Sequence, residues 1–211
     1  MREPINTITH LIGAILAVIG LVVMIFKAVV EQSALYLVGG IIFGISLILL
    51  YGASTLYHWY NGKSTAIQKL RKLDHAMIFV LIAGTYTPLC LATLRGPLGT
   101  TLLVLIWSLA FFGIISKLKF MNMPRWLSAG LYLFMGWISI LFIVPLFKAL
   151  PVTGFILLVS GGVLYTIGSI FYASKNQRIH WFGFGFHEIF HLFIMAGSLS
   201  HFLLINQFVF V

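Results

Sequence analysis

Seven long apolar runs, separated only by short polar fragments, constrain this chain more than any other feature. They fall at about residues 10–28, 34–58, 75–94, 98–116, 126–147, 152–173 and 186–209. Between them lie Lys27 to Ser33, Asn61 to Asp74, Arg95 to Pro97, Lys117 to Arg125, Lys148 to Pro151 and Ser174 to His180. A helix that crosses a bilayer needs roughly 20 apolar residues, and every run meets that length. Nothing alternates with period two over barrel-length segments, which excludes a spanning β-barrel. The composition agrees: 61% of the 211 residues are hydrophobic and 8% are charged, with a mean hydropathy of +1.08. Soluble domains carry about 25% charged residues. The chain therefore reads as an all-α integral protein of the cell membrane. It is expected to form one domain over residues 1–211, a seven-transmembrane-helix bundle.

The formal net charge of +9 does not point to nucleic acid, because the basic residues sit singly or in short clusters between apolar runs. They set an orientation instead. Numbering the connections alternately, one side carries Arg2, Lys63, Lys69, Arg71, Lys72, Lys117, Lys119, Arg125, Lys175 and Arg178. The other side carries only Lys27, Arg95 and Lys148. The positive-inside rule then predicts the N-terminus inside and the C-terminus outside, opposite to the G-protein-coupled receptors. Arg2-Glu3-Pro4 followed by an apolar stretch without a small-residue cleavage site reads as a retained span, not a signal peptide.

Several smaller features carry expectations. The single cysteine, Cys90, excludes an intramolecular disulfide and reads as a packed thiol. Gly40-x3-Gly44 and Gly161-Gly162 are small-residue faces suited to close helix packing. Pro88 is expected to kink the third helix. Trp181 to Phe186 reads as an interfacial aromatic belt. Lys63 to Lys72 reads either as a short amphipathic helix on the inner leaflet or as an ordinary topology-setting loop.

Ionisable groups within spans are costly and mark functional sites. The chain has four acids (Glu3, Glu31, Asp74 and Glu188) and seven histidines (His10, His58, His75, His180, His187, His191 and His201). His187 and His191 are four residues apart, so on a helix their imidazoles share a face and can grip one metal ion. His187-Glu188-x2-His191 also satisfies the pattern of zinc peptidases, in which the glutamate acts as a general base. A tetrahedral zinc site needs a third protein ligand. His201, 14 residues beyond His187, stands about 21 Å along a straight helix and is too far. His58, closing the second helix one turn after Ser54, fits best. Under the predicted topology Ser54, His58, Asp74, His187 and His191 converge at one depth in the inner leaflet.

At these residues the chain resembles the hemolysin III and progestin-and-adipoQ-receptor (PAQR) family, which includes the adiponectin receptors; the wider group of similar membrane proteins includes alkaline ceramidases. The matching pattern is Glu3-x2-Asn6-x3-His10, Ser54-x3-His58, Asp74 and His187-x3-His191, and the short form looks like the bacterial hemolysin III branch. The resemblance implies a Zn2+ ion held by His58, His187 and His191, a water near Asp74, and Ser54 close by. It does not bring hormone binding with it, because the long N-terminal segment of the animal receptors is missing here.

Four functions follow as alternatives. One is a zinc-dependent hydrolase of a ceramide-like amide or an ester in a membrane lipid. There Asp74 orients the water or takes its proton, and Ser54 bonds the developing oxyanion. A second is a receptor-like sensor of membrane lipid composition with a structural zinc. A third is a cytolysin or pore, although no polar lining repeats along any helix. A fourth is an intramembrane metalloprotease using Glu188, with Asp74 replacing His58. The other histidines read as structural: His10 and Asn6 cross-linking the first helix, His75 packed, His180 in a loop, and His201 bonded to a neighbouring helix, with Ser198 one turn away.

Overall fold

A computed structural model of the chain describes residues 1–120, 123–174, 180–181 and 184–210, with residues 180–181 as backbone only. Among these, seven helical segments are long and apolar enough to span a membrane. They are α1 (Pro4–Val30), α2 (Ala34–Trp59), α3 (Ser64–Pro88, continued by a π-helical turn Leu89–Thr93) and α4 (Gly96–Lys119). The fifth span joins α5 (Arg125–Gly136) through a 3₁₀ stretch, Trp137–Phe142, to α6 (Ile143–Ala149). α7 (Val152–Ser174) and α8 (Phe186–Leu204, ending in a π-helical turn Ile205–Val209) complete the set. The chain is a multi-pass integral membrane protein.

The burial pattern is the reverse of a soluble bundle. α1 buries Asn6, Thr7, His10, Gly13, Ala17 and Gly20 at helical spacing, and turns Ile8, Leu11, Ile15, Ile19 and Val22 outward. Lipid solvates an apolar exterior without penalty, so the interior can carry small and polar groups that pack and bond across helices. Gly44 shows the packing half of this. A Cβ there would lie 2.8 Å from the Leu21 Cβ, so only glycine lets α1 come this close to α2. Gly40 meets Met24 and Phe210 in the same way. Cys90 is buried and unpaired, as expected of a packed thiol.

Three local features differ from the sequence expectation, and a fourth, at Pro88, gives the expected irregularity its form. The third helix begins at Ser64, so Lys69, Arg71 and Lys72 belong to the first turns of a span, not to a surface helix or a loop. Lys72 Nζ donates to the Leu118 carbonyl at the end of α4, at 2.8 Å, while Arg71 lines the central cavity and Lys69 is exposed. At Pro88, which cannot donate to the preceding turn, the α-helix passes into a π-helical turn. The fifth span is not one regular helix. Pro145 has no N–H to give to the Leu141 carbonyl, and six residues earlier the Ser139 N–H leaves the ladder to donate to the Tyr86 hydroxyl at 2.9 Å. Tyr86 in turn donates to the Gly136 carbonyl, so a side chain from α3 substitutes for the broken backbone ladder. Before α8, His180–Trp181 pairs antiparallel with Phe184–Gly185 as a short hairpin, while Phe182 and Gly183 of the expected aromatic belt lie outside the described residues.

Candidate metal centre

Three helices and the chain's first residues meet at one end of the bundle. The last turn of α2 delivers His58, with Ser54 one turn earlier on the same face; both are buried. α8 starts at Phe186, so His187 and His191 lie in its first two turns, one above the other. One ring nitrogen from each of His58, His187 and His191 lies within 4.8 Å of the others. His58 Nε2 and His187 Nε2 are 3.4 Å apart.

The chemistry of this triplet fits a metal ion. His58 Nδ1 lies 2.6 Å from Glu3 Oε2, and a carboxylate there requires that Nδ1 carry the proton. His58 Nε2 is then a bare lone pair, and it faces a ring nitrogen of His187. Two nitrogens held about 2.0–2.1 Å from one tetrahedral zinc stand roughly 3.3–3.4 Å apart, which matches the spacing observed here. Donors of this type suit zinc among the borderline metals.

Glu3 belongs to a second layer around the histidines. Its backbone N–H donates to the His58 carbonyl at 3.1 Å, so the chain start is pinned to the end of α2. The hydrogen bond from His58 holds the Glu3 carboxyl down to about 2, with the nearby Arg2 charge adding to the effect against partial burial. Asn6 Nδ2 bridges Glu3 Oε2 at 3.2 Å and Glu188 Oε1 at 3.0 Å. Glu188 is thereby used to tie α1 to α8. One helical turn on, the His10 ring stacks on His191 with centroids 3.5 Å apart and planes 11° from parallel. The cross-linking expected of Asn6 and His10 is therefore made onto the histidine cluster itself. Residues 3, 6 and 10 share one helix face at i, i+3 and i+7, a spacing that could have revealed this layer from sequence.

A cavity of about 320 Å³ opens beside the cluster and is lined by Ser54, Asp74, His187 and His191. Ser54 of α2 and Asp74 of α3 both stand in this lining. Along α3 and its π-helical turn the lining runs from Arg71 to Leu89, about 27 Å of helix rise and close to the thickness of a hydrocarbon core. His75 lies on another face of α3 near the Tyr132 hydroxyl, at 3.3 Å. His201 is buried and lines the far end of the cavity with its ring against Gly161. The expected bond to Ser198 is not made: Ser198 is taken by Tyr51 at 2.7 Å and Tyr165 at 2.9 Å. Ser54, His58, Asp74, His187 and His191 are thus neighbours, and His201 is remote from them.

Among the described residues, seven spans surround a cluster of three histidines, two buried and one partly buried, that could hold a metal ion, which defines a multi-pass membrane protein with a candidate metal centre inside its bundle. The family model described as haemolysin-III related matches residues 1–202. The chain is 45% identical over 201 residues to the Hemolysin-3 homolog of Bacillus subtilis (strain 168), covering 95% of this chain and 91% of that protein. It is 43% identical over 202 residues to Hemolysin-3 of Bacillus cereus, covering 95% and 89% respectively. The chain belongs to the haemolysin-III related family.

Proposed function

We propose that the protein is a zinc-dependent hydrolase that cleaves an amide or ester bond of a membrane lipid, with His58, His187 and His191 as the metal ligands. The observation that carries this reading is the position of Asp74 and Ser54, both in the wall of a long cavity shared with His187 and His191. When bound, zinc would supply a Lewis acid and lower the pKa of a coordinated water to about 7. The protein's own groups then do the rest. Asp74 orients the attacking water, takes a proton on its carboxylate and returns it to the leaving amine or alcohol. Ser54 holds Asp74 in place in the resting site and, by rotating its hydroxyl, hydrogen-bonds the oxyanion. The Glu3 carboxylate keeps His58 in one tautomer, as outer partners of metal-bound histidines generally do. Apolar lining such as Ile78, Leu81 and Leu89 accommodates the hydrocarbon part of the substrate.

One observation favours a second reading, a sensor of membrane lipid composition with a structural zinc. The cluster and the Glu3–Asn6–Glu188 bridge staple α1, α2 and α8 together, which a structural ion would also do. Asp74→Asn separates the two. In the hydrolase it keeps zinc and fold but lowers turnover of lipid amides or esters by about 10²–10⁴. Zinc-loaded protein in bilayers, given a broad lipid extract with mass detection of products, reads this out. If Asp74→Asn hydrolyses lipid at the wild-type rate, the hydrolase reading is wrong.

A further inference from the structure

Three cations lie at or just behind the cavity wall, and none has a salt-bridge partner among the described residues. Arg71 of α3 and Arg125 at the start of α5 line the cavity. Lys117 of α4 is 1% exposed, donates to the Ser128 hydroxyl, and sits 5.9 Å from the centroid of the Tyr132 ring. Tyr132 and Tyr172, the rings beside Lys117 and Arg125, both belong to the cavity wall. Among the described residues every salt bridge belongs to Glu3, and none of the three makes one. Arg125 lies 5.3 Å from the centroid of the Tyr172 ring and 5.8 Å from that of Phe186, yet its Nη1 is shielded from solvent and has no hydrogen-bond partner.

Charged groups withdrawn from water are normally paired, because an unpaired one forfeits its hydration. Among the described residues Asp74 is the only acid in the cavity lining, against Arg71 and Arg125 there and the buried Lys117 behind Tyr132. A phosphate monoester carries about −1.5 to −2 at neutral pH and offers three acceptor oxygens. Guanidinium groups match those oxygens geometrically, and an unpartnered Nη1 supplies a free donor. Tyr172 and Phe186, the two rings beside Arg125, also flank His187 at centroid separations of 6.1 and 6.2 Å, so an anion held at Arg125 stands next to the histidine cluster.

We propose that Arg71, Lys117 and Arg125 form a phosphate site at the cavity mouth, and that the lipid occupying the cavity is a phosphate monoester lipid. The proposal rests on the lipid-hydrolase reading for the occupant of the cavity, but its test needs no turnover. Lys117 supplies field from behind Tyr132, while Arg71 and Arg125 supply the contacts. The acyl chains lie along α3 toward Leu89 and the headgroup stays beside the histidines.

The test uses ether-linked lipids, which contain no bond the proposed hydrolase could cut. Zinc-loaded full-length protein in phosphatidylcholine nanodiscs is titrated with di-O-oleylglycerol phosphate and, in parallel, with di-O-oleylglycerol. Adducts are counted by native mass spectrometry. The phosphate lipid should bind at least about tenfold more tightly, the scale of one hydrogen bond to a charged group. Arg125→Gln should remove that preference, and so should Lys117→Met if it retains zinc. Where Lys117→Met fails to fold, the half-buried Arg125 alone decides. A Lys69→Gln, Lys119→Gln double variant, altering exposed cations, should keep the preference. Equal binding of the two lipids overturns the proposal, as does an unchanged preference in Arg125→Gln. Equal loss in the Lys69→Gln, Lys119→Gln variant overturns it too, by reducing the effect to surface attraction. Inorganic phosphate that binds as tightly as the phosphate lipid would make the ligand a free anion and refute the lipid assignment. A hydrolase reading that failed would show instead as Asp74→Asn turning over ester lipids normally.

Discussion

Replacing Glu3 by Gln preserves length and one acceptor oxygen while removing the charge that faces His58 across 2.6 Å. His58 is 1% exposed and the Glu3 side chain 38%, so the contact is shielded on one side only. A carboxylate at that nitrogen raises the basicity of the opposite one and fixes the ring orientation; losing such a partner typically weakens metal binding 10–100-fold. That corresponds to about 1.4–2.7 kcal/mol. The neutral amide still bonds Nδ1, so Glu3→Gln should lie near the lower end and Glu3→Ala near the upper. Zinc affinity of the purified variants, measured by competition with a chelator of known affinity at fixed pH, reads this directly. Asn6→Ala should weaken zinc less than Glu3→Ala, because Asn6 bonds Glu3 and Glu188 and makes no side-chain contact with His58. If Glu3→Ala and wild type hold zinc equally well, the carboxylate does not support the metal and the tautomer argument fails.

Three other outcomes are expected. Compartment-specific reporters fused after residue 211 and within residues 120–124 should report outside and inside respectively; the reverse would invert the topology deduced from the Lys and Arg distribution. Metal analysis should give about one zinc per chain in wild type and in His201→Ala, and little in a His187→Ala, His191→Ala double variant; loss in His201→Ala would place that ring at the cluster. Gly44→Leu should lower the thermal midpoint, because the added side chain meets Leu21 and overpacking costs about 1–3 kcal/mol; an unchanged midpoint would mean that α1 and α2 can part there freely.

The spans and the histidine cluster were legible because each rests on a short-range rule. Run length marks a crossing helix, and i, i+4 spacing puts His187 and His191 on one face. His58 emerged because the charge bias independently set the ends of α2 and α8 at the same side. The start of α3 was not legible. Lys69, Arg71 and Lys72 lower the local hydropathy like a loop, yet they sit on a continuous helix where Lys72 bonds a carbonyl of α4 and Arg71 lines the cavity. The break in the fifth span has a sequence signal in Pro145, but its repair by the Tyr86 hydroxyl depends on a contact 53 residues away. The uncompensated charge around Arg125 could not be read either, since a basic residue flanking a span looks the same whether it faces water or a cavity.

The closest approach in the cluster joins positions 129 residues apart, on the second span and the last. Ribosomes add about 5–20 residues per second, so His58 waits roughly 6–26 s in the nascent chain before His187 is even made. During that interval no complete ligand set exists, and a stalled or truncated product never acquires one. In the proposed zinc site, tight metal retention would therefore be a property of finished molecules alone, and the zinc content of the purified protein would count chains whose last helix has inserted and docked.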